Sequence, residues 1–300
     1  MVACRLCCAE RAQYPKQVSD MRPRPILVRA FARLVLRTIP LLYRVPFMTT
    51  KVSQCPICGG KSCYEARNIC TRLDRCTVCG HVYARRLPQS LLLHLMYRGT
   101  GYWCRDRYPM GISEVTPGPQ WTPFLDVRIG ILRRVGMLNS NGGGPLGIFE
   151  IGCSEGMLLY ELKRLGHHVR GCEMNHAIAE AGSAALDVDI ENQAFEAMAL
   201  PDDCFDAVIS FHTLEHVRSP RSVFDKIVKA LRPSGAVLIE VPCGKEEYPN
   251  TDHLHFFSRD SLERLLRDYF QTVELLDNSY RRGKGPVTGS LYGFGKQLRP

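Results

Sequence analysis

Leu146-Gly-Ile-Phe-Glu-Ile-Gly-Cys-Ser-Glu-Gly-Met157 is the stretch whose reading decides the fold. Leu146–Ile151 reads as a buried strand, Gly152 and Gly156 punctuate a turn, and Gly156–Leu165 reads as a helix stopped by Gly166. A strand that ends in an acid, then glycines, then a helix is where a parallel sheet binds a nucleotide-like ligand. Outward from this point the pattern keeps alternating. His168–Cys172 reads as a strand, Ala177–Ala185 as a helix and Val188–Asn192 as a short strand. Phe205–Phe211 is a strand, Pro220–Leu231 a helix ended by Arg-Pro-Ser-Gly, and Ala236–Val241 a strand. Ser258 caps a helix through Leu266, and strands follow at Phe270–Leu276 and around Ser290–Lys296. Strands alternating with helices specify an α/β fold, a doubly wound and mostly parallel sheet covered on both faces.

The loop chemistry narrows the ligand. Glu173 ends the second strand, 21 residues after Gly152, where a carboxylate can accept from both hydroxyls of a ribose. Charged hydrogen bonds of this kind contribute about 1.5–3 kcal/mol each. A dinucleotide dehydrogenase is the rival, but the G-x-G-x-x-G spacing is absent: Ser154 and Met157 stand at its second and third glycines. Glu150 and Glu155 also flank the helix start, where they would repel a pyrophosphate. S-adenosylmethionine carries no phosphate and offers an ammonium and a sulfonium, which an acidic loop suits.

The ordered set GIFEIGCSEG (147–156), GCEMN (171–175), FDAVISFHTLEHVRSPRSVFDKIVKALRPSGAVLIEVPC (205–243) and HLHFFSRDSLERLL (253–266) resembles the class I S-adenosylmethionine-dependent methyltransferases. The likeness covers about residues 121–296 and is nearest to small-molecule O- and C-methyltransferases that include ubiquinone-pathway enzymes. It implies a Rossmann-like, seven-stranded sheet. Glu150, Gly152, Cys153 and Gly156 match the loop around the methionine moiety, Glu173 the ribose acid, and Met174 a residue packing on adenine. Ser210, Phe211 and His212 match the end of the fourth strand, beneath the sulfonium. Ser154 departs from a usual glycine, and Ala194-Phe195 stand where an adenine-edge contact is expected.

A second signal precedes the sheet. Cys55-Pro-Ile-Cys58-Gly and Cys76-Thr-Val-Cys79-Gly are two C-x-x-C-G knuckles, 17 residues apart. Four thiolates at this spacing satisfy tetrahedral Zn²⁺, which predicts a small structural zinc ribbon over 51–85. Cys63, Cys70 and His81 are read as strand or turn residues rather than ligands. A basic leader over 1–50, disordered or non-native with Met48 as a candidate start, precedes the ribbon. A connector over 86–120 with a short helix at Ser90–Tyr97 separates it from the methyltransferase domain, 121–300. The four-residue recurrence of Arg29, Arg33 and Arg37 would otherwise suit a surface-binding or targeting helix.

Charge weighs on the substrate class. The net charge of +9 falls within residues 1–64, which hold eleven Lys/Arg against two acids; the 28 basic and 28 acidic residues beyond cancel. A neutral body argues against nucleic acid as partner. No apolar stretch is long enough to span a membrane, and fourteen cysteines gathered in metal-type pairs fit a reducing, cytoplasmic setting. The expected activity is methylation of a hydroxyl or activated carbon of a small molecule. An RNA or protein methyltransferase gripping its polymer with the ribbon, and a non-catalytic ribbon adaptor, are the alternatives; oligomeric state is left open. The candidate bases are His216 after the fourth strand and His253 and His255 after the fifth, with Tyr248 able to orient a substrate.

Overall fold

The structure, a computed structural model, describes residues 41–90, 92–93, 97, 122–138, 144–281 and 287–299. The expected helix carrying Arg29, Arg33 and Arg37 lies outside the described residues. So does most of the connector, of which Ser90, Leu92, Leu93 and Tyr97 are helical.

Seven strands form the central sheet: β6 (Gly147–Ile151), β7 (His168–Cys172), β8 (Asp189–Glu191), β9 (Phe205–Phe211), β10 (Leu231–Cys243), β12 (Phe270–Arg281) and β13 (Val287–Leu298). Their order is β12-β13-β10-β9-β6-β7-β8. The pairs among β6 to β10 are parallel, and β13 runs antiparallel to both β10 and β12. The order reverses between β6 and β9, the switch point beside which such sheets bind ligands. Period-two alternation sorts the side chains. Phe149, Ile151, Val208, Val237 and Ile239 pack on one face, against helices α4 (Pro220–Ala230) and α5 (Arg259–Arg267). Ile148, Ala207, Ile209 and Leu238 face the other way, against α1 (Thr122–Arg134) and α2 (Met157–Arg164). Ser219 and Ser258 cap α4 and α5, accepting from Ser222 and Ser261 backbone N–H groups as N-cap serines do.

The strands and helices expected over residues 146–296 are all present, and the differences fall at their ends. Strand β10 begins five residues early because Leu231 already pairs with Phe205, and the register shifts across Arg232–Gly235 before resuming at Ala236. Strands β12 and β13 run longer than expected because they pair with each other far beyond the sheet's edge, to Arg281↔Val287.

The cysteine region is not a separate module. Strands β2 (Ser62–Arg67), β3 (Arg72–Cys76) and β4 (Val82–Ala84) form an antiparallel sheet whose fourth member, β11 (His255–Phe256), comes from the segment after β10. Cys55, Ile57, Cys76, Cys79 and Tyr83 are buried in one continuous core with Phe224, Leu262 and Phe270 of the body. Residues on both sides of the boundary expected at residue 50 are paired or packed. Strand β1 (Thr49–Lys51) pairs with β5 (Arg86–Pro88), and Tyr43, 2% exposed, packs against Leu92. Apolar residues before Met48 therefore belong to the packed body, although the basic composition around them reads as leader.

Helix α3 (His176–Leu186) sits on the turn after β6 through a close backbone approach. A Cβ at Gly182 would lie 2.2 Å from the Glu155 carbonyl oxygen. Gly182→Val is expected to lower the unfolding free energy by about 1–3 kcal/mol, because the helix must lift off the turn. Urea unfolding measures this, and an unchanged midpoint would show that the contact is not tight.

Candidate functional site

The turn after β6 is built around two left-handed glycines. Gly152 has φ +70°, and a Cβ there would lie 2.2 Å from Thr213 Oγ1. That hydroxyl donates to the carbonyls of Ile151 (3.2 Å) and Phe211 (3.3 Å), tying the β6 turn to the end of β9. The constraint on Gly152 therefore comes from the protein itself, not only from a ligand. Ser154 also sits at positive φ, +53°, which costs a non-glycine residue about 1–2 kcal/mol. Its N–H donates to Glu173 Oε2 at 3.1 Å, a charge-assisted bond that offsets the strain.

Glu173 is 7% exposed, and its other oxygen accepts from Asn175 N at 2.8 Å. Burial raises its pKa while the backbone donors pull it back. A carboxylate offers about four acceptor sites, so two backbone bonds leave capacity for ribose hydroxyls. The residues present fit S-adenosylmethionine: an acid at the mouth of a glycine turn, with Glu150 and Glu155 each 3% exposed beside it. Met174 is half-buried next to Glu173.

Other expected contacts are placed differently. Cys153 is buried beneath the turn with Met157, Leu159 and Leu186. Ser210 is 2% exposed and donates to the Ile151 carbonyl at 3.4 Å. Phe211 faces the α1 side, with the Arg128 guanidinium 4.5 Å from its ring centre. Phe195 is a core residue, 5% exposed and packed on Phe149 in a short 3-10 turn. Asn175 and Thr213 were missed. Asn175 is fully buried, caps α3 by accepting from Ile178 N, and donates to the Tyr97 carbonyl at 2.9 Å. The sequence signal for it was an asparagine just before an apolar helix.

At the ends of β9 and β10 the structure gathers ionisable groups. His212, at φ +53°, lies with Nδ1 3.4 Å from Glu215 Oε1 and Nε2 3.2 Å from Glu240 Oε1. Burial alone would depress its pKa, but the two carboxylates outweigh that and push it up to about 10. His212 is therefore a cation at neutral pH. Arg128 Nε lies 3.2 Å from Glu240 Oε2, and the Tyr292 hydroxyl donates to Oε1 of the same carboxylate at 2.9 Å. His216 and His253 sit beside this cluster, ring centres 4.9 Å apart. His255 does not join them. It is fully buried against the cysteine region, its Nδ1 3.1 Å from His81 Nε2, because β11 has been drawn into pairing with β4. The expectation that His255 serves as the base is corrected accordingly: it is a residue of the seam.

The four knuckle cysteines converge. Sγ–Sγ distances are 3.6 Å for Cys55–Cys79 and 3.5 Å for Cys58–Cys76 and Cys58–Cys79. A tetrahedral Zn–S site with bonds of about 2.3 Å has edges of about 3.8 Å, so the donor set matches a zinc site in number, type and spacing. Ile57 N and Val78 N donate to Cys55 and Cys76 sulfur at 3.4 Å, as knuckle turns do. Cys63, Cys70 and His81 stand outside the cluster.

A sheet of this order, with a glycine turn after its first strand and a buried acid after its second, is the Rossmann-like arrangement that the sequence resemblance to class I S-adenosylmethionine-dependent methyltransferases implies. Residues 149–239 match the methyltransferase domain family. The ubiquinone biosynthesis O-methyltransferase of Aeromonas salmonicida is 34% identical over 114 residues, which span 35% of this chain and 48% of that protein. Its counterpart in Maricaulis maris is 25% identical over 126 residues, 38% of this chain and 50% of that one. A solved S-adenosylmethionine-dependent methyltransferase from Archaeoglobus fulgidus aligns with a TM-score of 0.46 at 16% identity, covering 57% of this chain and 94% of that one. The chain spans about half the length of the curated relatives it matches. No helix among the described residues is long and apolar enough to cross a membrane.

The cysteine region grips the segment after β10 by charge as well as by pairing. Arg75 donates to both Glu65 oxygens at 2.8 Å and to the Tyr248 hydroxyl at 3.0 Å. The Arg75 guanidinium pulls the Glu65 pKa down to about 2. A depressed carboxylate stabilises the fold above its ordinary pKa, and that stability is lost as pH falls toward 2. Glu65→Gln is expected to cost about 1–2 kcal/mol at pH 7. The gap between variant and parent should close between pH 4.5 and 2 when unfolding is followed across pH. A gap independent of pH would rule out the ion pair as its source.

Proposed function

We propose that this chain transfers the methyl group of S-adenosylmethionine to a hydroxyl or activated carbon of a small molecule, with Zn²⁺ held by Cys55, Cys58, Cys76 and Cys79 as a structural ion. The observation that carries the reading is the contact between Ser154 N and Glu173 Oε2, which sets the ribose acid against the turn that receives the methionine moiety. When bound, the cofactor supplies an electrophilic methyl on a sulfonium. The chain's own residues bind and align it: Glu173 for the ribose, the Gly152–Gly156 backbone for the amino-acid end, and Met174 for the adenine face. Alignment of this kind is worth about 7–11 kcal/mol of barrier in well-oriented reactions.

The small-molecule reading is supported by the neutral body and by the names of the relatives that match it, which are ubiquinone biosynthesis O-methyltransferases. His216 and His253 lie at the carboxyl ends of the strands, where an acceptor would enter. His212 serves electrostatics instead: as a cation between Glu215 and Glu240 it has no lone pair with which to take a proton.

Calorimetry tests the cofactor assignment. S-adenosylhomocysteine is expected to bind at micromolar levels, about −8 kcal/mol. Glu173→Ala should weaken it by about 1.5–3 kcal/mol or more. NADH is the control; if it binds and S-adenosylhomocysteine does not, the reading fails. Labelled methyl donor supplied with metabolite extracts then reads out the acceptor.

The zinc assignment is checked separately. Metal analysis of protein purified without chelator should find zinc that Cys58→Ser loses, together with a fall in thermal stability. Zinc-free protein that melts as the parent does would sink the assignment.

A further inference from the structure

Among the described residues, the five most exposed large apolar side chains are Leu41, Phe47, Tyr64, Ile69 and Val78, and all five lie within 41–90. Single exposed apolar residues are ordinary, but a concentration of them in one region marks an interaction surface. Leu41, Phe47 and Ile69 belong to two stretches that pack on one small core. Asn68 Oδ1 accepts from Cys70 N at 3.0 Å and Thr71 N at 2.8 Å, closing the β2–β3 turn so that Ile69 stands 72% exposed at its tip. Cys70, the next residue, packs with Leu42 and Met48 against Tyr43 and Leu92. The single 3-10 turn Pro46–Met48 directs Met48 inward and leaves Phe47 74% exposed, while Leu41 is exposed one residue before the packed Leu42. The hairpin tip and the 41–48 stretch are thus fastened side by side, with their apolar side chains held in water.

The same stretches carry cations without carboxylates to match. Residues 41–90 hold eight Lys/Arg against two acids. Both acids are taken by arginines of the same sheet, Glu65 by Arg75 and Asp74 by Arg72 and Arg85. Arg44 and Arg67 are exposed, and no carboxylate among the described residues pairs with either. Arg67 also stands directly opposite Arg72 in the β2–β3 pairing, an unfavourable juxtaposition of like charges that a nearby anion relieves. The chain that enters the fold at Leu41 has the same character: residues 21–40 carry five arginines, three of them at the four-residue spacing of Arg29, Arg33 and Arg37, and no acid. Apolar side chains interleaved with unneutralised cations suit the headgroup region of an anionic membrane. A second copy suits them less, because a twofold contact sets the same cations against each other.

We propose that Leu41, Phe47 and Ile69, flanked by Arg44 and Arg67, form a docking surface for an anionic lipid bilayer. The apolar side chains enter the headgroup region, and the two guanidinium groups meet lipid phosphates there. The attachment is peripheral and reversible, made by side chains at the tip of a hairpin and on a single helical turn.

The test uses the full chain and co-sedimentation with two kinds of vesicle, phosphatidylcholine alone and phosphatidylcholine mixed with phosphatidylglycerol. Binding to the mixed vesicles is expected to be about tenfold tighter or more than to the neutral ones, and to loosen as salt is raised. Phe47→Ser with Ile69→Ser, and separately Arg44→Gln with Arg67→Gln, should each lower the partition coefficient about tenfold or more. All four side chains are exposed, so circular dichroism and urea midpoints of both double variants should match the parent. Failure of the parent to bind the mixed vesicles would overturn the proposal. Binding that either double variant leaves unchanged would overturn it as well and move the contact elsewhere on the chain. Sedimentation velocity without lipid tests the other occupant: a parent dimer that Phe47→Ser with Ile69→Ser dissociates would give this surface to a second copy instead of a bilayer.

Discussion

Backbone pairing between β4 and β11 is the constraint on which the placement of the segment after β10 depends. His255 and Phe256 pair with Tyr83 and Val82, and Ala84 N donates to the Leu254 carbonyl at 2.9 Å. On the other edge of the same short segment, the N–H groups of Leu254 and His255 donate to the Glu215 carbonyl at 2.8 and 3.1 Å. The segment is thus held from both sides, by the cysteine region and by the loop after β9. Without the first set of bonds it would be an ordinary loop at the end of a strand, with no fixed position for His253 or Tyr248.

This arrangement gives the cysteine cluster a structural consequence. Its four sulfurs fix the turns that carry Ile57 and the start of β4, and Arg221 reaches across to the Ile57 carbonyl at 2.7 Å. The cluster shares a core with α4 and α5, so disturbance of the cysteines is transmitted through packed side chains rather than along a flexible tether.

Electrostatics divide the site in two. At the turn after β6, the buried Glu173 is held by the backbone N–H groups of Ser154 and Asn175. Between β9 and β10, Glu215 and Glu240 face His212 and Arg128, so positive and negative charges are matched inside the protein. Charges buried in this way are stable only when paired and hydrogen-bonded.

The turn after β6 was legible in the sequence because it is local. The turn from Gly152 to Gly156 and the acid closing the next strand need only the period-two and period-3.6 patterns and a fixed spacing to be found. The four cysteines were legible for the same reason, since ligand spacing within a knuckle is set by the chain's own geometry. That Phe195 packs on Phe149 was not legible, because a residue after a short strand can turn either way and only its tertiary neighbours fix the direction. His255 was misread because its neighbours in sequence place it on a loop, while its hydrogen-bond partner, His81, lies 174 residues away. The sequence by itself determined the class of sheet, the glycine turn after its first strand and the grouping of the four cysteines. Only the tertiary structure decided that the cysteine region and the body are one folded unit, which histidines face each other, and that Tyr97 and Asp252 hold His216. Local pattern fixes which elements form; backbone pairing and burial between distant segments fix which side chains meet.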